Sequence, residues 1–206
     1  MAFRILVFGL MLELIVDNEH YLRMAAAVVS AYAYFARGDT GAQAQTSRLV
    51  VDREGMFFNE DAKNLPKIAP ATLTTPWPAN RKLSPHRLLE RYKLAHEAAW
   101  RRVGRPAPEA LWQLPGDAKL PVASDIGLWL TKLLQVLHRP PGVKWTGHSI
   151  RGGAASAALA ISVSLPAICR WGIWVALDSV TRYLDPLVPR SREALFFFAH
   201  LVRGAE

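Results

Sequence analysis

Strand-forming sequence in this chain is confined to one short stretch, and this limits the possible fold more than any other feature. Two runs rich in aliphatic and aromatic residues, 47–51 and 55–58, flank the polar residues 52–54, a pattern that predicts an antiparallel hairpin. A third strand is predicted at 71–75. The remaining periodic sequence has helical spacing, so we predict an α+β fold that is mainly helical, with a small antiparallel sheet near its start.

Helix signals divide the rest of the chain. A helix-rich segment covers 10–36, and Ser84-Pro85 is typical of the start of a basic helix that we predict to reach about 103. A proline-containing loop follows at 104–122, and Ser124 or Asp125 is predicted to cap a helix through 137. Shorter helices, two of them with Ser164 and Asp178 as N-caps, are predicted at about 149–161, 165–171, 178–184 and 191–202.

The charge balance favours a polyanionic partner. The 206 residues include 25 Lys and Arg against 17 Asp and Glu, a net charge of +8, which suits nucleic acid or an anionic membrane surface. Cys169 is the one cysteine, so an internal disulfide is excluded, a buried structural thiol is predicted and an intracellular location is expected. No Cys/His cluster has zinc spacing, and no segment of about 20 apolar residues predicts a membrane span.

Four residues in the last third of the chain form a chemically coherent set. His148 and Arg151 are three residues apart at a predicted helix start, so their side chains point the same way, and Trp174 and Tyr183 follow. Cleavage of a phosphodiester needs a nucleophile, a proton carrier and donors for the phosphate oxygens. Tyrosine, histidine and arginine supply these, and an indole N–H is a further donor. Taken singly, each residue is more simply a core or surface residue, and one of Trp171 and Trp174 is expected in the core.

The sequence around these residues resembles the catalytic domain of tyrosine recombinases of the phage-integrase type. The resemblance rests on Thr146-Gly147-His148, on the small residues after Arg151, on the interval from Trp174 to Tyr183, and on Arg182-Tyr183-Leu184-Asp185-Pro186. It covers about residues 31–187, and the sequence of the motifs is similar to that in recombinases of mobile elements. It implies a single catalytic domain over 1–206, without the N-terminal DNA-clamping (core-binding) domain usual in the family.

The resemblance also implies the mechanism and two further catalytic residues. Tyr183 would attack DNA and form a 3′-phosphotyrosyl link, with no metal ion, ATP or other cofactor. Arg37, in the family's position ahead of the hairpin, would hold the phosphate together with Arg151, His148 and Trp174. Lys63 would be the general acid for the 5′ oxygen, and Lys67 competes with it for this position.

Double-stranded DNA is the implied partner, bound by four copies of the chain, in the nucleus of a eukaryote or in the nucleoid or cytoplasm of a bacterium. Basic residues expected to contact DNA are Arg87, Arg91, Lys93, Lys67 and Arg182. The apolar segment 193–202 would pack on its own subunit or be exchanged in an oligomer. The alternatives are a catalytically degenerate DNA-binding remnant, a type IB topoisomerase-like enzyme, and a membrane-surface protein that uses the apolar N-terminus.

Overall fold

The computed structural model describes residues 18–34, 36, 41–51, 56–60, 71–75, 85–136, 146–160 and 162–184. The elements in these ranges are mainly helical, with one small sheet, which confirms the predicted fold class. In chain order they are α1 (Glu19–Ala33), β1 (Leu49–Val51), β2 (Met56–Glu60), β3 (Ala71–Thr75), α2 (Pro85–Arg102), α3 (Ala123–Val136), α4 (Gly147–Ala160), α5 (Leu165–Trp171) and α6 (Leu177–Thr181).

Helix α1 lies at the centre of the fold. The Asn18 side chain caps it by accepting hydrogen bonds from the backbone N–H groups of His20 and Tyr21. Every residue from Leu22 to Ala33 is buried, and the helix packs against α2, α3 and α4. A helix covered on all faces needs small and apolar residues around its whole circumference, which the alanine- and valine-rich sequence provides.

The three strands form an antiparallel sheet in the order β1-β2-β3. Leu49 pairs with Phe58 and Val51 with Met56, which confirms the predicted hairpin. The third strand occupies the predicted range and pairs with β2 from Met56–Thr75 to Glu60–Ala71. A short 3-10 helix at Thr46–Arg48 precedes β1, so the first strand begins two residues later than predicted.

The predicted loop after α2 is confirmed, and tertiary hydrogen bonds hold it to the helical core. The indole N–H of Trp112 donates to the carbonyl of Gly41, and the hydroxyl of Tyr92 on α2 donates to the carbonyl of Leu111 at 2.9 Å. An isolated antiparallel bridge joins Gln45 to Ala110. The segment ahead of the sheet and the loop after α2 are therefore fixed to one another.

Two predicted helix caps are wrong. Helix α3 begins at Ala123, so Asp125 lies in its first turn, where its carboxylate accepts from the backbone N–H of Val122 at 2.8 Å. Helix α6 begins at Leu177 after Ala176, so Asp178 is also a first-turn residue; an acidic side chain there still interacts favourably with the helix dipole. Ser164 does cap α5, by accepting from the N–H of Ala167. Residues 10–17, Ser84 and the predicted helix 191–202 lie outside the described residues.

Candidate active site

The start of α4 fixes the directions of His148 and Arg151. The backbone N–H of Thr146 donates to the Ser149 hydroxyl at 3.2 Å, and the N–H of Ser149 donates back to the Thr146 hydroxyl at 3.4 Å. This reciprocal arrangement satisfies N–H groups that a helix start leaves without partners. It starts α4 at Gly147, two residues earlier than predicted, and places His148 and Arg151 on one face of its first turns.

Tyr183 reaches this face from the end of α6. Its backbone N–H donates to the carbonyl of Val180 at 2.8 Å, which holds the chain in a tight turn after the helix. Its hydroxyl lies 3.1 Å from Nδ1 of His148, a hydrogen-bond distance, and the two rings are 5.8 Å apart. The exposed imidazole is thus placed to exchange a proton with the phenolic oxygen.

Arg151 is buried beneath the same tyrosine. Its side chain donates from Nη2 to the carbonyl of Gly172. The guanidinium carbon lies 3.9 Å from the centre of the Trp174 ring and 5.9 Å from that of Tyr183, both within the range of cation–π attraction. With 3% of its surface exposed, Arg151 keeps its positive charge in a largely water-excluded setting, where charge interactions are stronger than in bulk water.

Tyr183 lies along a single stripe of α4, which we call the α4 stripe and which consists of His148, Arg151, Gly152 and Ser156. His148 and Arg151 contact the ring and hydroxyl of Tyr183, and Gly152 and Ser156 lie against its backbone. A Cβ on Gly152 would lie 3.1 Å from the Tyr183 carbonyl oxygen, and the Ser156 hydroxyl donates to that oxygen at 3.5 Å. Sequence reasoning missed both backbone contacts. The signal was present, because residues 148, 152 and 156 repeat at a spacing of four.

The structure separates the two neighbouring tryptophans. Trp174 is buried against Arg151 and its ring lies 5.7 Å from that of Tyr183, whereas Trp171 is 41% exposed. The prediction that one of them belongs to the core is therefore met by Trp174, which also borders the candidate site. Cys169 is partly buried, and its thiol donates to the Trp174 carbonyl at 3.1 Å.

The remaining predicted site residues either lie outside the described residues or stand on other elements. Arg37, Lys63 and Lys67 lie outside the described residues. The predicted DNA-contacting residues that the structure describes lie on two elements. Arg87 on α2 and Arg182 after α6 are exposed, and Arg91 and Lys93 on α2 are partly buried. Of the six predicted catalytic residues, the structure brings together His148, Arg151, Trp174 and Tyr183.

Two further properties of the described ranges bear on function. No helix there combines the length and the apolarity needed to cross a bilayer. Within the same ranges, no three His, Cys, Asp or Glu side chains are grouped so that they could hold a metal ion.

No protein-family model and no curated protein matches this sequence. Solved structures do match its fold. The XerH site-specific recombinase in a post-cleavage complex with palindromic difH substrate matches with a TM-score of 0.65 and 10% identity, over 89% of this chain and 48% of that one. XerH in a pre-cleavage complex with difH substrate gives a TM-score of 0.66 and 9% identity, over 91% and 50%. XerA recombinase gives 0.65 and 13%, over 93% and 61%.

The chain has the fold of a tyrosine-recombinase catalytic domain. This confirms the fold that the motifs of the last third implied. The recombinase fold extends over most of this chain, but the chain spans only 48% to 61% of the solved proteins it matches. At 9% to 13% identity, the likeness extends to the fold alone.

Proposed function

We propose that this chain cuts and rejoins DNA as a site-specific recombinase, with Tyr183 as the nucleophile. The observation that carries the proposal is the 3.1 Å contact between the Tyr183 hydroxyl and His148 Nδ1, beside the buried guanidinium of Arg151. A nucleophile, a proton acceptor and a phosphate-binding cation are the parts that phosphodiester cleavage requires. Their meeting within a tyrosine-recombinase fold supports this chemistry over a purely structural role for each residue.

In the proposed cleavage step, Tyr183 attacks a backbone phosphate while His148 accepts the phenolic proton. The tyrosyl O–P bond forms as the bond from phosphorus to the 5′ oxygen breaks, and Lys63 gives a proton to that oxygen. Arg37, Arg151 and Trp174 hold the non-bridging oxygens. The roles of Lys63 and Arg37, with Lys67 as the competing lysine, rest on the sequence resemblance because these residues lie outside the described ranges.

Rejoining reverses these bonds. A 5′ hydroxyl, from the same or a second duplex, attacks the phosphotyrosyl phosphorus and releases Tyr183, which recovers its proton. One P–O bond is exchanged for another in each step, so no ATP is needed. Strand exchange between two duplexes implies four subunits, and the chain would act where DNA is held, in the nucleus or in the bacterial nucleoid and cytoplasm. Because its motifs are similar in sequence to those of mobile-element recombinases, we propose that a mobile element encodes this chain.

Several features support double-stranded DNA as the partner. The chain carries a net charge of +8, and two of the similar solved structures, both of XerH, are complexes with difH substrate. Arg87 and Arg182 are exposed, as residues that contact phosphate must be, whereas Arg91 and Lys93 lie partly covered on the same helix as Arg87. Lys67 completes the proposed set. Binding through such residues should weaken steeply as salt is raised, because counterions are released from DNA.

One observation favours a second candidate, a DNA-binding remnant without catalysis. Arg151 is only 3% exposed, covered by Trp174, Tyr183 and the Gly172 carbonyl. A phosphate reaches the guanidinium only if one of these neighbours moves. An active enzyme must therefore move at least one of these neighbours when DNA binds, whereas a remnant would bind DNA with all of them left in place.

The decisive experiment uses nicked duplex suicide substrates, drawn from native flanking or random DNA, without Mg²⁺. Wild type, Tyr183→Phe and the control Tyr21→Phe, an exposed tyrosine on α1, are run on denaturing gels. We expect a covalent protein–DNA band from wild type and the control and none from Tyr183→Phe. DNA binding without a band from any of them would favour the remnant, and a band from Tyr183→Phe would remove it as the nucleophile. Relaxation of supercoils without strand exchange would indicate topoisomerase activity.

A further inference from the structure

The turn between α5 and α6 has an unusual backbone. Helix α5 ends at Trp171, and the N–H of the next residue, Gly172, donates to the carbonyl of Ile168 at 2.9 Å. Ile173 then has a φ of 52°, a left-handed conformation that a β-branched residue rarely adopts and that costs roughly 1–3 kcal/mol. The N–H of Trp174 donates back to the carbonyl of Cys169 at 2.9 Å. The chain therefore reverses sharply and returns the indole of Trp174 across Gly172.

The indole occupies the space where a side chain at position 172 would stand. An ideal Cβ on Gly172 would lie 1.7 Å from Cζ3, 2.1 Å from Cε3 and 2.6 Å from Cη2 of Trp174. All three atoms belong to the six-membered ring of the indole. Non-bonded carbon atoms are normally about 3.5–4.0 Å apart, so any residue larger than glycine would displace this ring.

Both described contacts of the Arg151 side chain near this turn depend on the same position. Its Nη2 donates to the Gly172 carbonyl, and its guanidinium lies 3.9 Å from the centre of the Trp174 ring. The first contact uses the backbone of Gly172 directly. The second exists because Gly172 has no side chain. A guanidinium has a planar fork of donors, so its orientation decides which donors are left for a phosphate.

We propose that Gly172 is a positioning residue that sets the orientation of the Arg151 guanidinium. It acts through its carbonyl, which accepts from the guanidinium, and through its lack of a side chain, which leaves room for the Trp174 indole. This inference rests on the proposed function, in which Arg151 binds the phosphate that Tyr183 attacks. Gly172 itself touches no reacting atom. Its effect on cleavage passes through Trp174 and Arg151.

The test is a double-mutant cycle at positions 172 and 174. Gly172→Ala should reduce the rate of covalent-complex formation roughly 100-fold, as expected for loss of one oriented phosphate donor. Trp174→His removes the six-membered ring that holds the three clashing atoms, so adding Gly172→Ala to that variant should cost less than about 3-fold. The control is Gly153→Ala, two residues after Arg151 on α4, where a Cβ would make only an ordinary contact, 3.9 Å from Tyr32.

A readout independent of DNA cleavage separates this inference from the proposed function. The indole ring current should shift the Arg151 side-chain N–H signals in NMR spectra, with Arg151→Lys used to assign them. We expect Gly172→Ala to abolish this shift and Gly153→Ala to retain it. If wild type cleaves no DNA but these shifts behave as stated, the proposed function fails while the positioning by Gly172 stands.

Two results would overturn the inference. One is a folded Gly172→Ala protein that keeps the wild-type Arg151 signals and cleavage rate. The other is an equal loss from Gly172→Ala in the wild-type and Trp174→His backgrounds, since the damage would then not pass through the indole. The second comparison remains decisive if Gly172→Ala alone is poorly folded, because relieving the clash should restore thermal stability as well as cleavage.

Discussion

Among the described residues, two arginines are buried against tryptophan rings, but their polar neighbours differ. Arg23 on α1 lies 5.0 Å from the Trp129 ring, and its Nη1 atom makes an ion pair with Asp117 at 2.5 Å. Arg151 on α4 lies 3.9 Å from the Trp174 ring and donates to a backbone carbonyl beside Tyr183. The carboxylate of Asp117 balances the charge of Arg23 within the fold. The charge of Arg151 instead lies beside the tyrosine that would acquire negative charge during cleavage.

The comparison extends to the surroundings of each arginine. Around Arg23 is a group that we call the Arg23 cluster: Arg23, Asp117, Trp112, Tyr92 and His96. Arg23 donates to the Trp112 carbonyl, and the Tyr92 ring packs 5.2 Å from Trp112 and 5.9 Å from His96. These contacts join α1, α2 and the loop after α2, so this cluster should govern stability. The α4 stripe with Tyr183 should govern chemistry.

Among substitutions that leave Tyr183 in place, replacing Arg151 with lysine should have the largest effect on chemistry. Arg151→Lys keeps the positive charge and loses the planar fork, so we expect covalent-complex formation to fall by roughly 100- to 1,000-fold. The measurement is the single-turnover rate on a suicide substrate, with urea unfolding to count the folded protein. A rate within tenfold of wild type would mean that cleavage does not use the planar fork of Arg151. The proposed difference in function between the two arginines would then be wrong.

Removing the carboxylate of the other arginine should instead reduce stability. Asp117→Asn leaves Arg23 buried without its counter-charge, and it weakens the bond from the Leu114 N–H to the same oxygen, so we expect a loss of about 3 kcal/mol in the free energy of unfolding. Urea denaturation measures this loss. Cleavage per folded molecule should stay within about twofold of wild type. A loss of cleavage greater than the unfolded fraction explains would show that the Arg23 cluster also influences the geometry of the candidate active site.

The sequence allowed one of these arginines to be recognised and not the other. Arg151 could be predicted because its partners follow a spacing tied to a reaction, and a short segment from 146 to 183 contains them all. Arg23 stands in an alanine-rich helix with no local signal, and its partner Asp117 is 94 residues away in a loop. The packing that buries both is a tertiary property. Gly172 was missed for the same reason, since a close approach depends on what packs against the glycine.

His96 should make the stability of the Arg23 cluster dependent on pH. Burial lowers the pKa of His96 below its usual value of 6.5, against smaller opposing effects of the Gln113 backbone and the Glu97 carboxylate. As the pH falls, the unfolded chain therefore binds a proton on His96 before the folded chain does. The free energy of unfolding is highest above about pH 6.5 and decreases as the pH drops towards the folded-state pKa.

Urea unfolding of wild type and His96→Phe between pH 5 and 8 checks this. We expect the decline below about pH 6.5 to be shallower in His96→Phe, while the pH profile of cleavage per folded molecule is the same in both proteins. Parallel stability curves would show that His96 does not couple the fold to protons. A changed pH profile of cleavage would show that His96 affects the chemical step as well as stability.

The smallest effects are expected from two buried serines, one in each region. Ser30 is 6% exposed and Ser156 is 5% exposed. Ser30 on α1 has a hydroxyl without a hydrogen-bond partner in the described part of the chain, so Ser30→Ala should raise the free energy of unfolding by up to about 1 kcal/mol, with cleavage unchanged. Ser156 donates to the Tyr183 carbonyl at 3.5 Å, a long and weak bond, so Ser156→Ala should slow cleavage by about 2- to 3-fold. If Ser30→Ala changed cleavage as much as Ser156→Ala, the effect would be one of general packing, and the α4 stripe would hold no special relation to the tyrosine.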